Sequence, residues 1–154
     1  MVEIRVDDEI TLRTIEPADA LPVFELIDAN RERFRWLPQM IEVKTVEDER
    51  QWIEETLALD DGRSGFLMIV DEEIAGGVGH GPVEPNGDVN VGYWLAVEFE
   101  GRGIVTRSCA VVVDQLFERG IGTRAMIRAG RDNVRSRAVA ERLGFTLDES
   151  EHET

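Results

Sequence analysis

Two short alternating runs open the chain, Glu3-Ile4-Arg5-Val6 and Ile10-Thr11-Leu12-Arg13, on either side of Asp7-Asp8-Glu9. Apolar residues at every second position around a polar turn predict a β-hairpin. Glu16-Pro17-Ala18-Asp19 then opens a helix, with the proline just inside its start, and Val23, Phe24 and Ile27 keep helical spacing to about Asn30. Thr45, with Asp48 three residues on, predicts the capped start of a second helix. Trp52, Ile53 and Leu57 are its expected buried stripe, and Asp61-Gly62 its end. Three strands are predicted over residues 66–70, 74–83 and 89–97, divided by the turns Asp71-Glu72-Glu73 and Glu84-Pro85-Asn86-Gly87-Asp88.

Past residue 98 the pattern changes. Glu100-Gly101-Arg102-Gly103 leads directly into a predicted helix over residues 104–118, whose apolar face is Val105, Cys109, Val112 and Leu116. Gly120-Ile121-Gly122 stops it, and a strand is predicted over 123–129. A last helix starts at Asn133, a good N-cap, and ends at Arg142-Leu143-Gly144-Phe145, where Gly144 suits the left-handed position after a helix and Phe145 folds back onto it. The order of hairpin, two helices, three strands, helix, strand, helix is α+β and does not fit a Rossmann repeat. Residues 1–154 read as a single domain, with no linker, repeat or low-complexity tract.

Composition narrows the function. With 42% hydrophobic residues and a mean hydropathy of −0.23, no apolar run approaches the ~18 residues of a membrane helix. Met1-Val2-Glu3-Ile4-Arg5 lacks the apolar core of a secretion signal, so a cytoplasmic location is expected. One cysteine, Cys109, and two histidines, His80 and His152, predict neither a disulfide nor a metal centre. The net charge of −15 disfavours nucleic acid and anionic membrane as partners. Lys44 is the only lysine. Such an acidic, lysine-poor chain resembles a halophilic protein, since at ~1 M salt a Debye length of ~3 Å lets carboxylates crowd. An ordinary acidic protein from an arginine-favouring genome is the alternative.

The imbalance is uneven. Residues 1–100 carry 24 acids against 8 bases, whereas residues 101–145 carry four acids against nine arginines. That cationic island starts at the Gly101/Gly103 loop, where a strand end meets a helix start. Glycines there permit close backbone approach to a ligand, and a helix N-terminus offers unpaired N–H groups. With Arg102 and Arg107 beside it, the loop points to a diphosphate-bearing ligand; a tight strand-to-helix turn is the bland reading.

Gly92-Tyr93-Trp94-Leu95, Gly101-Arg102-Gly103-Ile104 and Asp132-Asn133-x-x-Ser136-x-x-Val139-Ala140-x-Arg142-Leu143-Gly144-Phe145 together resemble the GNAT superfamily of acetyl-CoA-dependent N-acetyltransferases, and within it the Rim-type ribosomal-protein N-terminal acetyltransferases. The resemblance covers roughly residues 9–148. It implies a mixed, mainly antiparallel central sheet whose strands at 89–97 and 123–129 splay apart to hold acetyl-CoA. By this resemblance the diphosphate takes N–H groups from Gly101, Arg102, Gly103, Ile104, Val105 and Thr106. The pantetheine arm pairs with Leu95, Ala96 and Val97, while Asn133 and Ser136 face the arm and the thiol. The acetyl group passes directly to an amine, on a protein N-terminus or a small molecule, with an N–H near Leu95 or Val97 polarising the thioester carbonyl. Ser136 is the implied proton or hydrogen-bond donor to the departing thiolate; on its own it also reads as a hydroxyl bonded to the preceding helical turn.

The chain departs from the family pattern at three places. Glu100 stands where Gln or Arg is usual, and a carboxylate beside a diphosphate costs affinity unless salt screens it or it turns away. Asn90 stands where Rim-type relatives carry a glutamate, the usual base acting through water. The family also continues about 25–30 residues past its last helix, so the sheet is expected to lack the usual C-terminal strand. A short chain, a trimmed fold or a strand supplied by a partner would each account for that. The edge left near 123–129 predicts a homodimer. Cys109 is expected to fill the core rather than to serve as a CoA-proximal thiol. His80 could be a base, Trp36 could touch the acceptor, Tyr93 is expected to pack, and His152 sits in the tail. A non-catalytic CoA-binding relative is the competing reading to an enzyme.

Overall fold

The hairpin forms as the alternation predicts. Strands β1 (Glu3–Arg5) and β2 (Ile10–Thr14) pair antiparallel with Ile4 opposite Leu12. Asp7 makes the turn by accepting the N–H groups of Glu9 and Ile10 at 2.8 and 2.9 Å. This computed structural model describes residues 2–32, 34, 40, 42–128 and 134–146. Trp36, Asn133 and His152, singled out in the sequence, lie outside the described residues, as does residue 129.

Pro17 starts a single 3-10 turn, Pro17–Asp19, that leads into α1 (Ala20–Ala29), so the predicted helix begins one turn late. Helix α2 (Val46–Leu57) carries the predicted cap: the Thr45 hydroxyl accepts the Asp48 N–H at 3.0 Å, and the Asp48 carboxylate accepts the Thr45 N–H at 3.1 Å. Its expected buried stripe is wrong in part. Ile53 is fully buried, but Trp52 and Leu57 are 41% and 48% exposed, and the other buried residue is Glu49. Glu49 and Ile53, four apart, share the inward face, and Trp52 sits one residue round the helix from it.

Strands β3 (Ser64–Val70), β4 (Glu73–His80), β5 (Asp88–Leu95) and β6 (Arg124–Met126) complete a six-stranded sheet in the order β1-β2-β3-β4-β5-β6. Every neighbouring pair is antiparallel except β5 with β6. β3 starts two residues earlier than expected, whereas β4 and β5 end sooner: β4 stops before Pro82, which has no N–H to donate, and β5 gives way at Val97–Phe99 to a 3-10 turn. Helix α3 (Ile104–Glu118) has its predicted bounds, and α4 (Val134–Arg142) ends at Gly144 (φ +82°). There the Phe145 N–H reaches the Ala140 carbonyl at 3.0 Å and the Gly144 N–H the Glu141 carbonyl at 3.0 Å, the paired bonds of a left-handed helix stop. None of the described helices is long and apolar enough to cross a membrane.

The sheet divides the core in two. On one face Val89, Val91, Tyr93 and Leu95 of β5 pack with Ile104, Val105, Cys109, Val112 and Leu116 of α3 and Val139 of α4. On the other, Trp94 packs with Val23, Ile27, Phe34, Met40 and Leu67, where α1 lies.

Glu49, inside that second layer, is 3% exposed, and burial alone raises its pKa from the usual carboxylate range to about 7. A carboxyl that is easier to protonate folded than unfolded favours the native state at low pH. That advantage shrinks as pH rises from the unfolded value, about 4.5, and is gone above about 7. Glu49→Gln should therefore raise the melting temperature at pH 8 and change it little at pH 4. Urea titrations at the two pH values check this.

Candidate functional site

The site begins where two strands part. Asp88, 4% exposed, receives a two-pronged contact from Arg124, Nε to Oδ1 at 2.9 Å and Nη2 to Oδ2 at 2.8 Å. The guanidinium beside it holds the Asp88 carboxyl below the usual range. This pair fixes the start of the parallel ladder, which runs Asp88 with Arg124, Val89 with Ala125 and Asn90 with Met126, and extends no further among the described residues.

Strand β5 continues for five residues beyond that point, and only one of its edges is engaged by β4. The Gly81 N–H donates to the Asn90 carbonyl at 2.9 Å and the Ala96 N–H to the Ala75 carbonyl at 2.8 Å. Antiparallel ladders alternate, so residues 90, 92, 94 and 96 turn their backbone groups toward β4. Val91, Tyr93 and Leu95 turn theirs the other way, into the gap past the end of β6. An extended ligand laid there would find a strand edge that no described residue fills.

The mouth of that gap is the loop between β5 and α3. Gly101 and Gly103 both have positive φ, +79° and +71°, and Gly103 is the N-cap of α3. A Cβ on Gly101 would meet nothing within 4 Å, so the backbone there is open to a ligand. The first helical hydrogen bond runs from the Arg107 N–H to the Gly103 carbonyl at 3.1 Å, which leaves the N–H groups of Ile104, Val105 and Thr106 without helical acceptors. The side chains of Ile104 and Val105 are buried, so the helix start is anchored while its N–H groups face out.

The two arginines of this loop are already engaged. Arg107 donates to Asp7 Oδ2 at 2.6 Å, to Glu9 Oε1 at 2.9 Å and to the Arg102 carbonyl at 2.7 Å. Arg102 pairs with Glu9 as well, and its guanidinium lies 5.8 Å from the Phe99 ring centre. The β1–β2 turn thus brings two carboxylates to the cationic loop. Backbone N–H groups and Arg107 hold the Asp7 carboxyl below the usual range, and Arg107 and Arg102 do the same for Glu9. Glu100 turns to α4, where Arg135 Nε lies 3.1 Å from its Oε2.

Across the gap, Ser136 sits on the inward side of α4. The Tyr93 hydroxyl lies 2.6 Å from Ser136 Oγ and 3.1 Å from the Ser136 carbonyl oxygen. Tyr93 therefore does more than pack, and burial pushes its phenol up to about 12, so it remains a neutral donor. Cys109 is fully buried, with its thiol likewise pushed to about 12 by burial, and fills the core.

At the far end of β5 the Val97 N–H is taken by Asn30, whose Oδ1 accepts it at 3.0 Å while its Nδ2 donates to the Leu26 carbonyl at 2.7 Å. Of the two N–H groups considered for polarising a carbonyl, only that of Leu95 still faces the gap. On the sheet face away from α3, the Trp94 indole lies across Gly77, where a Cβ would fall 2.3 Å from its Nε1, and meets Phe34 edge-on at 5.5 Å. Asn90 and Gly92 share that face, and Asn90 Nδ2 donates to Glu84 Oε2 at 2.6 Å. His80 pairs with Val91 and shares its face, the one covered by α3, so it is turned from Asn90 and Trp94.

The structure brings the Gly101/Gly103 loop, β5 and Ser136 to one gap, and adds Asn30, Glu84 and the partners of Arg107, which were not singled out in the sequence. Asn30 had one signal, an amide at the end of an apolar helix where a stop needs a polar residue.

Residues 9–146 match the acetyltransferase (GNAT) domain family. The chain is 34% identical over 152 residues to YdaF of Bacillus subtilis (strain 168), a ribosomal N-acetyltransferase by name, covering 94% of this chain and 82% of that one. It is 26% identical to the ribosomal-protein-serine acetyltransferase of Escherichia coli (strain K12), covering 94% and 83%. Among solved structures, the microcin C7 self-immunity acetyltransferase MccE, in complex with acetyl-CoA and AMP, superposes with a TM-score of 0.87 at 30% identity over 94% of this chain and 83% of that one. The ribosomal L7/L12 acetyltransferase RimL, in complex with CoA, superposes with a TM-score of 0.89 at 26% identity over 98% and 90%.

Asn30→Ala would leave the Leu26 carbonyl and the Val97 N–H without their partner, and the fold should lose about 1–3 kcal/mol. Urea unfolding checks this, and the loss should appear without any change in the slope of the transition.

Proposed function

Because the chain belongs to the acetyltransferase (GNAT) domain family and is an acetyl-CoA-dependent N-acetyltransferase, we propose that its acceptor is the N-terminal amine of a protein and that transfer takes place in the gap between β5 and β6. The unfilled edge of β5 leading to the Gly101–Gly103 loop carries this reading. Acetyl-CoA fits it by chemistry: a diphosphate suits the outward N–H groups of Ile104, Val105 and Thr106 beside Gly101 and Gly103, both of positive φ, and an amide-bearing pantetheine arm suits the backbone groups of Tyr93 and Leu95. Asn133, outside the described residues, and the Leu95–Ala96–Val97 stretch belong to the same proposed set, with Ala96 and Val97 limited by their bonds to Ala75 and Asn30. The acceptor class follows from the relatives, named for acetylating ribosomal proteins. That the family is one of acetyltransferases favours an enzyme over a non-catalytic CoA binder.

The residues divide the work. The Leu95 N–H polarises the thioester carbonyl as negative charge gathers on its oxygen. The amine attacks the carbonyl carbon, the carbon–sulfur bond breaks, and the electron pair leaves on sulfur. Ser136 meets that thiolate. When Tyr93 donates its hydroxyl proton to Ser136 Oγ, the serine proton is released to point at the sulfur, so the 2.6 Å contact sets the donor's direction. Glu100, held by Arg135, is kept from the diphosphate. Arg102 and Arg107 approach it only by exchanging Asp7 and Glu9 for phosphate, an exchange that salt assists by weakening the existing pairs.

The acid excess also supports a salt-rich cytoplasm as the working environment. Among the described residues β6 pairs with β5 alone, which supports a homodimer formed over its outer edge. Light scattering in about 2 M KCl tests it, and a monomeric mass would refute it.

Acetyl-CoA at about a hundred times its Kd should add about 2.7 kcal/mol to stability. That corresponds to a rise of roughly 5–10 °C in melting temperature for a chain of this length. An unchanged melting temperature in high salt refutes the site.

Ser136→Ala and Tyr93→Phe should both lower kcat, by roughly tenfold or more for the serine and less for the tyrosine, with the acetyl-CoA stabilisation intact. Steady-state kinetics on peptides with free N-termini, read by thiol release, measure this.

A further inference from the structure

We propose that the Glu84 carboxylate takes the proton from the incoming amine, with Asn90 as its positioning residue; this rests on the transferase reading above. Glu84 lies in the turn between β4 and β5, yet its side chain reaches the point where the sheet splits. Asn90, the last residue of β5 paired with β6, donates Nδ2 to Glu84 Oε2 at 2.6 Å. Arg128, two residues past the end of β6, brings Nη2 to 3.8 Å from Glu84 Oε1. The carboxylate thus sits at the apex of the gap, between Asn90 of β5 and the segment that follows β6.

Its orientation is fixed by one hydrogen bond. Asn90 Oδ1 is buried with no donor, so nothing else holds the amide in place. The opposite orientation would set two oxygen acceptors 2.6 Å apart, which defines the amide as the donor and the carboxylate as the acceptor. The carboxylate itself is about one-third exposed, 32%, within reach of a substrate or a bridging water.

The surroundings leave room for an amine. Next to Asn90 on the same face comes Gly92, exposed, where an added Cβ would meet nothing within 4 Å, and then Trp94. That face is opposite the one carrying Tyr93, whose hydroxyl reaches Ser136. The thiolate donor and the amine-proton acceptor therefore approach the gap from opposite faces of the sheet. In the transfer nitrogen bonds to the carbonyl carbon, the carbon–sulfur bond breaks with its electron pair leaving on sulfur, and the nitrogen's proton passes to Glu84 along bridging waters on the Gly92 face of β5.

The test uses the full chain with acetyl-CoA and a panel of peptides beginning with Ser, Ala or Met, together with a simple diamine. Glu84→Gln keeps the acceptor oxygen for Asn90 but cannot take a proton. It should lower kcat roughly a hundredfold, with the KM for acetyl-CoA and the acetyl-CoA-induced rise in melting temperature unchanged. Glu84→Asp should retain part of the rate, and Asn90→Glu added to Glu84→Gln should recover at least about tenfold by returning a carboxylate to the strand. Wild-type turnover in Glu84→Gln would overturn the assignment. So would a loss in Glu84→Gln that neither carboxylate variant restores, or a wild type that binds acetyl-CoA and acetylates none of the amines. If acetyl-CoA fails to stabilise the wild type, the transferase site itself is refuted, a different result from loss of proton transfer alone.

Discussion

The Asp88–Arg124 pair holds β5 against β6 over three residue pairs, after which β6 ends while β5 runs on to Leu95. Because antiparallel bonding to β4 uses alternate residues of β5, the early end of β6 leaves every second residue with an unengaged backbone edge. The gap is bordered by everything the chemistry needs. Its mouth is a helix start with outward N–H groups, one wall is α4 with Ser136, and its apex is the Glu84 carboxylate held by Asn90. Had β6 run the length of β5, the same residues would form an ordinary closed sheet.

Charge is arranged around that gap in a less obvious way. The sequence concentrates arginines after residue 100, but two of them at the loop are partnered by acids nearly a hundred residues earlier, Asp7 and Glu9 in the first hairpin. These contacts join β1–β2 to α3 and keep the loop close to neutral. A phosphate would therefore be received first by N–H groups and the helix end, with the arginines joining by exchange. Exposed pairs of this kind contribute little to stability, and their strength depends on salt. In an acidic chain, this makes ionic strength a natural control on ligand affinity.

Much of this was legible in the sequence where local rules decide. The hairpin alternation, the Thr45/Asp48 cap, the bounds of α3 and the stop at Gly144 each depend on neighbours within a few residues. The Gly101/Gly103 turn into α3 and the inward side of Ser136 on its helix likewise follow from spacing. What was missed depends on residues far apart in the chain. Asn30 holding the Val97 N–H, Arg107 reaching Asp7, and Tyr93 meeting Ser136 have no signature at the level of spacing. The stripe on α2 misled for a different reason: periodicity marks Trp52 and Leu57 as apolar, but only packing against α1 decides which side is inside, and that side holds Glu49. Glu84 was read only as part of a turn, since nothing in the sequence shows that its side chain folds back to Asn90.

The central claim is that acetyl-CoA completes the free edge of β5. Residue-resolved amide hydrogen exchange, with and without CoA, tests it most directly. The account predicts that CoA slows exchange at Leu95 and at Ile104, Val105 and Thr106, while Gly92 and Trp94, already bonded to β4, change little. If CoA binds and the exchange of Leu95 and of the α3 start is unaltered, the ligand lies elsewhere and the account fails.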